Sequence, residues 1–205
     1  ALAIALAFAC SLAPAAAFAS TVAVAIEIGA DGAPVEPSGE GWTYSTEGLV
    51  LEAGYAFTFT GHALHVSSEN PLRNNGVIED GAFVDTSQAY GFAVRNEASG
   101  VIRGGTFRGT VSNWGLIEDG AFYSSVYNMS NNAGAGTIAG GTFRDYVTNY
   151  EGAVISGGAY SDGGNNNSVQ NDGTISGGEF NINVHNAGVM GGNSTFKIGR
   201  ASCRE

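Results

Sequence analysis

Apolar and polar positions recur in a fixed order along the second half of the chain. The unit Gly-x-Ile-x-Gly/Asp-Gly-x-ring-x-x-x-Val-x-Asn runs twice without a gap over residues 99 to 128, as SGVIRGGTFRGTVSN and WGLIEDGAFYSSVYN. The first apolar column is Ile78, Ile102, Ile117, Ile138, Ile155 and Ile175. The ring five residues later is Phe83, Phe107, Phe122, Phe143, Tyr160 or Phe180. The Val column is Val94, Val111, Val126, Val147, Val169 and Val184, and two positions on stand Asn96, Asn113, Asn128, Asn149, Asn171 and Asn186.

The spacing from Ile to ring and from Val to Asn never changes, and all length variation falls between these two blocks. Residues that stack on neighbouring coils must keep their register, whereas corners accept insertions, so the pattern is typical of a solenoid. β-Branched and aromatic residues dominate the blocks, and the paired Gly would interrupt a helix. We therefore predict an all-β fold, a single-stranded parallel β-helix (β-solenoid) of about seven short coils with an N-terminal β cap.

The columns also predict the interior of this fold. Each coil would add an Ile, a ring and a Val to a dry core, at roughly 1.5–3 kcal/mol per fully buried side chain. The Asn column is expected at an inward corner, as a structural ladder of amides that hydrogen-bond from coil to coil. Paired Gly such as Gly104 and Gly105 suit a corner with positive φ or close backbone approach. Asp80 and Asp119 replace the first Gly of a pair, which we attribute to the tolerance of Asp for the left-handed region.

The chain opens with a segment of a different kind. Residues 1 to 19 are apolar and uncharged, and they end in Ala17-Phe18-Ala19. This composition is typical of a secretory signal peptide, here truncated at its start, and we predict cleavage after Ala19. A membrane anchor is the alternative, although Pro14 interrupts a segment barely long enough to span a bilayer. The signal peptide implies a secreted or cell-surface, extracellular protein with no membrane insertion after cleavage.

Further boundaries follow from changes in composition. Residues 20 to 37 are small, acidic and bounded by Pro, which indicates a linker. Residues 38 to 74 alternate apolar and polar positions, as expected of N-terminal cap strands and a first imperfect coil. The β-helix repeats then occupy residues 75 to 196. Residues 197 to 205 are basic and without pattern, so we expect a disordered or aberrant tail and an open C-terminal edge.

Charge and Cys content narrow the possible partners. The net charge of −11 argues against nucleic acid and against an anionic membrane surface. Cys10 would leave with the signal peptide, and Cys203 would then be alone, so no disulfide can form within a mature monomer. We expect a monomer without a cofactor that is stabilised by the stacking of its coils.

Two features of the sequence resemble a known family: the opening with Trp-Thr-Tyr and Leu-Val-Leu, and the coils of the form Gly-x-Ile-x-Gly-Gly-Thr-Phe-x-Gly-x-Val-x-Asn that follow it. Together they resemble the Gly/Asn-rich β-helical repeat regions of bacterial secreted and cell-surface proteins, which are broadly similar to adhesin and autotransporter passenger repeats. The resemblance covers about residues 41 to 192. It implies a β-helix, and it implies a function loosely, because such folds carry adhesins, polysaccharide-active enzymes and plain stalks alike.

Metal-binding chemistry is not indicated by the pattern. The histidines are His62, His65 and His185. They would lie far apart in a linear solenoid, whereas metal ligands must converge. The acidic pairs at residues 79 to 80 and 118 to 119 would be two coils apart, about 10 Å, which is too wide to share one ion. The inserted loop offers Asp162, Asn165, Asn166 and Asn167 as oxygen ligands, but a flexible turn is favoured there, and we predict no metal site.

Catalysis is also not indicated, although one arrangement is left open. Glycosidic cleavage needs two carboxyl groups roughly 5–10 Å apart. Asp145 with Glu151 or Asp162 could meet that condition on adjacent coils. No cluster of acids with Arg and aromatic residues repeats on one face, however, so we predict no catalytic residues.

The outward positions between ring and Asn are the best candidates for binding. If this segment is one strand, the residues between Phe, Val and Asn point outward and stack in rows. The candidate binding residues are Arg108, Tyr123, Tyr127, Arg144, Tyr146, Asn181 and Asn183. Such amphipathic groups suit an extracellular glycan or a host or cell-surface protein. We therefore expect adhesion or surface binding without catalysis; the alternatives are a structural stalk of a larger surface protein and a polysaccharide lyase or glycoside hydrolase.

Overall fold

The computed structural model describes residues 21–87, 91–132, 134–161, 163 and 167–196, and within these ranges the chain forms strands and turns without a helix. The strands wind into a parallel β-helix whose coils have three sides, each named here after its inward column. The ring lies five positions after the Ile, and a turn between them divides the Ile face from the ring face. A second corner leads to the Asn face, whose strands form a separate sheet. The predicted β-solenoid is therefore confirmed.

The strand bounds follow the columns. The Ile face contains Tyr55–Gly61, Val77–Asp80, Val101–Ile102, Leu116–Ile117, Thr137–Ile138 and Val154–Ile155. The ring face contains Leu64–Val66, Ala82–Asp85, Thr106–Arg108, Ala121–Phe122, Thr142–Phe143 and Ala159–Ser161. Two strands, Thr174–Asn181 and Val189–Phe196, run through both of these faces. The Asn face contains Gly48–Leu51, Leu72–Asn74, Val94–Asn96, Val111–Asn113, Val126–Asn128, Val147–Asn149, Ser168–Asn171 and Asn183–Asn186.

Each column stacks on itself in strict parallel register. Ile102 pairs with Ile117, Phe107 with Phe122, and Asn113 with Asn128. The rings from Phe83 to Phe196 stack face to face, with centroids 4.6 to 5.1 Å apart and planes within 16° of parallel. This distance matches the strand spacing of about 4.8 Å, so parallel pairing itself brings the rings into contact. The rings from Phe83 to Phe180 are buried and form the spine of the core.

The Asn ladder is confirmed and is one member longer than predicted. The Nδ2 of Asn113 donates to Oδ1 of Asn128 at 2.8 Å, and Nδ2 of Asn128 donates to Oδ1 of Asn149 at 2.7 Å. The same Nδ2 of Asn128 also lies within hydrogen-bond distance of the Gly136 and Val154 carbonyls. At the N-terminal end Asn74 joins the ladder. Its strand has Leu72 instead of Val, which hid it from the repeat pattern.

The two glycines of each pair meet different structural requirements. The second member has a positive φ, for example 103° at Gly105, which L-residues with a side chain rarely adopt. The first member, Gly104, lies so close to the Glu79 carbonyl of the preceding coil that a Cβ would clash with it. The left-handed explanation for Asp80 and Asp119 is therefore wrong, because positive φ belongs to the Gly after each. Both Asp instead accept a hydrogen bond from the N–H of that Gly, at 2.8 and 2.7 Å.

The N-terminal end differs from the linker predicted for residues 20 to 37. Val22–Ile28 is a strand that pairs in parallel with Tyr55–Gly61, and it buries Ile26 and Ile28. Its sequence VAVAIEI alternates apolar and polar residues only at its end, where Glu27 lies between the two buried Ile. After it, Ser38–Gly39 and Trp42–Ser45 form an antiparallel extension of the Asn face onto Gly48–Leu51. The burial of the side chains at residues 26 and 28 therefore stabilises a strand here, although the composition around them is typical of a linker.

The last described strand continues the stack. Val189–Phe196 pairs with Thr174–Asn181, and a register shift after Ile175 brings Phe196 opposite Phe180. Val189 and Phe196 are 64% and 41% exposed. The predicted signal peptide at residues 1 to 19 and the tail at residues 197 to 205 lie outside the described residues. Within the part of the chain that is described, no helix is long and apolar enough to cross a membrane.

Candidate functional site

The clearest surface feature is a stack of two arginines on one tyrosine, named here the Arg–Tyr–Arg stack. Arg108, Tyr123 and Arg144 each follow the buried ring of their coil and so point outward from three successive coils. The Cζ of Arg108 lies 4.6 Å from the centroid of the Tyr123 ring, and that of Arg144 lies 5.2 Å from it. Each such cation–π contact at an exposed site contributes about 0.5–1 kcal/mol.

The stack is exposed, and no carboxylate of the described residues neutralises its two arginines. Tyr123 is 37% exposed, and both arginines are exposed. Neither Arg108 nor Arg144 makes an ion pair with a carboxylate in the described part of the chain. A guanidinium held by its face against a ring keeps its N–H donors at the edge. The stack therefore presents the N–H donors of two guanidinium groups and one phenol to an incoming acceptor.

The candidates lie on two sides of a corner, which corrects the single strand predicted from ring to Asn. Thr106–Arg108 ends on the ring face, and Val111–Asn113 begins a strand of the Asn face. Tyr123 therefore belongs to the ring face, and Tyr127 to the Asn face. Tyr146 lies at the corner itself and is 47% exposed.

The two remaining candidates flank the same corner nearer the C-terminal end. Asn181 ends the strand Thr174–Asn181 opposite Ser161 and is exposed; its Nδ2 donates to Oε1 of Glu179 at 3.3 Å. Asn183 begins the strand Asn183–Asn186, opposite Ser168, and is also exposed. Asn181 therefore shares the outward row of the Arg–Tyr–Arg stack, while Asn183 does not.

A second surface feature was not predicted. Phe92, at the end of the inserted segment, contacts the rings of Trp114 and Tyr127 edge to face, at 6.4 and 5.5 Å. Beside this cluster is a groove of about 420 Å³, which is lined in part by Val101 and Leu116. Its other lining residues include Trp114, Gly134 and Ala135, so the short hairpin of Ser130–Asn131 and Gly134–Ala135 forms one wall. The aromatic residues that follow a ladder Asn, such as Trp114, were the available sequence signal.

The acidic pairs flank a basic residue. Glu79, Arg103 and Glu118 follow the Ile strand residues of three successive coils. Arg103 donates from Nη1 to Glu79 at 3.0 Å and from Nε to Glu118 at 2.9 Å. These hydrogen bonds, with Glu118 first, raise the pKa of Arg103 above its ordinary value. All three side chains are about one-third exposed, so each pair contributes only about 0–1 kcal/mol.

The remaining candidates do not converge. No group of three or more His, Cys, Asp or Glu that could hold a metal ion occurs among the described residues. Asp145 lies at the corner between the ring face and the Asn face, and Glu151 lies beyond the Asn face. Asp162, Asn165 and Asn166 lie outside the described residues. Asn167, fully enclosed at 2% exposure, donates to the Arg144 carbonyl at 3.2 Å.

Comparison with known proteins adds no relative. The chain matches no family model, no curated protein and no solved structure.

Proposed function

We propose that this chain is an extracellular, adhesin-like binding module that holds a glycan or a host or cell-surface protein and performs no catalysis. The observation that carries the proposal is the Arg–Tyr–Arg stack, which combines an exposed ring with two guanidinium groups that lie over it. Donors that such contacts bias toward one arrangement lose less conformational entropy on binding than free side chains do, which favours recognition. Tyr146, the most exposed of the candidate tyrosines, adds an open ring face at the adjacent corner.

A glycan is a ligand whose chemistry fits these groups. Sugar hydroxyls accept hydrogen bonds from guanidinium N–H groups, and the apolar faces of sugar rings pack on aromatic side chains. The rigid, regular coils hold these groups on a surface that need not rearrange. A noncatalytic role is supported by the separation of Asp145 and Glu151, which lie at opposite ends of the Asn strand Val147–Asn149.

The test is retention of the purified protein on a panel of glycans, mucins and insoluble polysaccharides, with the supernatant assayed for released sugar. We expect saturable retention without release. The double variant Tyr123→Ser with Tyr146→Ser should lose retention while its circular dichroism stays unchanged. Tyr150→Ser is the matched control, because Tyr150 is 39% exposed but lies beyond the other end of the Asn strand. Equal loss in both variants, or release of sugar, would contradict the proposal.

A structural stalk is the second candidate, and the uninterrupted ring stack favours it. Rings pack on one another from Phe83 to Phe196, so the coils form a continuous rod. Each added coil lengthens such a rod by about 4.8 Å. A stalk predicts no saturable retention on any member of the panel, and that result would favour it over the binding module.

A further inference from the structure

Two arginines stand directly opposite each other on the outer side of the Asn face. Arg73 and Arg95 are paired positions of the parallel strands Leu72–Asn74 and Val94–Asn96. Side chains at such positions lie roughly 5 Å apart at their bases and point the same way. Like charges directly opposite each other destabilise a sheet unless a counter-charge lies between them.

Another outward arginine, Arg103, does have carboxylate partners. Arg103 lies between Glu79 and Glu118 and bonds to both. In the described part of the chain, the outward row of the Asn face that contains Arg73 and Arg95 includes no Asp or Glu. Its paired positions along the Asn face are Val50, Arg73, Arg95, Ser112, Tyr127, Thr148, Gln170 and His185. Neither Arg73 nor Arg95 makes an ion pair with any carboxylate of the described residues.

Arg95 also carries an unmet hydrogen-bond donor. Its Nε is buried without a partner within the described chain. Buried donors in folded proteins nearly always have an acceptor, so such a group calls for one. Nε and a terminal nitrogen of the same guanidinium together form the fork that binds two oxygens of one oxyanion. A small rotation of the side chain toward a bound oxyanion would satisfy this donor.

The neighbouring residues limit where a ligand can lie. Ser112, next in the row, is fully buried, and beyond it Tyr127 is in contact with Phe92. On the other side Val50 is 37% exposed. The accessible part of the row around the two arginines is therefore Val50, Arg73 and the outer part of Arg95. This is an open strip with positive charge, in a protein whose net charge is −11.

We propose that Arg73 and Arg95 form a second binding site, which takes the carboxylate or sulfate group of an acidic saccharide. The inference goes beyond the Arg–Tyr–Arg stack and rests on the proposed function only in taking a saccharide as the carrier. Guanidinium groups bind carboxylate and sulfate by the same two-oxygen geometry. The two arginines would then share the counter-charge that the chain does not supply.

The test compares carriers with one backbone: dextran, carboxymethyl dextran and dextran sulfate. Binding of the purified protein to each is measured by calorimetry at fixed ionic strength. We expect binding to at least one acidic dextran. The double variant Arg73→Gln with Arg95→Gln should weaken this binding by about tenfold or more, since each charge-assisted hydrogen bond contributes at least that factor. The matched control is Arg73→Lys with Arg95→Lys, which keeps the positive charge and removes the two-nitrogen fork.

The outcomes separate this site from the proposed function. Weaker binding in both the Gln and the Lys variant supports the second site, because Lys keeps the charge but cannot hold two oxygens of one oxyanion. Unchanged binding by the Lys variant would overturn it, because positive charge alone would then explain the binding. Absence of binding to both acidic dextrans would also overturn it, even if the glycan panel shows retention through Tyr123 and Tyr146. Conversely, full binding of the Tyr variants to an acidic dextran, together with no retention on the glycan panel, would support the second site although the proposed function fails.

Discussion

The two sides of a single strand differ in how strongly the fold determines them. On the Asn face the inward positions are Val126 and Asn128, and their equivalents are Val and Asn in coil after coil. The outward residue between them is Tyr127, and its equivalents include Arg95, Ser112 and Thr148. Inward residues must fit identical neighbours above and below, so each coil repeats them. Outward residues do not stack in the core, so the coils above and below impose no identity on them.

The ring column gives the largest expected difference between the two sides. Phe122→Ala removes a fully buried ring that stacks on Phe107 and Phe143 at 4.8 Å, and should lower the free energy of unfolding by about 3–5 kcal/mol. Tyr123→Ala, one residue later, should cost about 1–2 kcal/mol, because it loses two exposed cation–π contacts. Urea denaturation followed by circular dichroism measures both. Equal costs would mean that the ring stack does not carry the core.

The Asn ladder should give a somewhat smaller effect that depends on partners. Asn128→Leu leaves the Oδ1 of Asn149 without its donor and takes the acceptor from Nδ2 of Asn113. At roughly 1–3 kcal/mol for each buried polar group left unpaired, the loss should total about 2–4 kcal/mol despite the gain in apolar surface.

The matched control for the ladder is Tyr127→Leu, one position earlier on the outer side. It should change the free energy of unfolding by less than about 1.5 kcal/mol, because only the contact with Phe92 is altered. The same urea titration compares the two variants. A cost for Asn128→Leu no greater than this control would show that the ladder contributes nothing beyond packing.

The same contrast explains how much could be predicted from the sequence. The inward columns were found because stacking forces repetition, and repetition is visible without a structure. Asn74 was missed because Leu72 breaks the Val column, and Val22–Ile28 because its residues suggested a linker. The corner between Arg108 and Val111 was missed because strands of two or three residues are too short to show a period of two.

The candidate surfaces were predictable only in part. The Arg–Tyr–Arg stack could be named as residues, since an outward row follows from the ring column. Its contacts could not, because the rotamers of exposed arginines are set by local packing and not by the repeat. The position of Arg103 between Glu79 and Glu118 follows from the aligned copies, because the three residues occupy the same place in successive coils. The Phe92 contact arises from an insertion, where the repeat gives no information.

Tyr160 is the exception on the inward side, and it gives the smallest and most specific prediction. Its hydroxyl donates to the Gly157 carbonyl at 2.9 Å, and burial raises the pKa of Tyr160 well above its ordinary value of 10.0. Below pH 10 the phenol is protonated in both folded and unfolded chains, so it adds no pH dependence there. Above pH 10 the unfolded chain releases the proton first, and stability falls by up to about 1.4 kcal/mol per pH unit.

Tyr160→Phe should therefore cost only about 1 kcal/mol at pH 7, through the lost hydrogen bond. Between pH 10 and pH 11 the variant should lose less stability than the unaltered protein, since Phe has no proton to release. The urea midpoints of the variant and the unaltered protein are compared at pH 7, 10 and 11. The contributions of the other tyrosines cancel in the difference between the two proteins. Parallel pH profiles would mean that the Tyr160 hydroxyl reaches solvent, and the ring column would then be less dry at this coil than at its Phe neighbours.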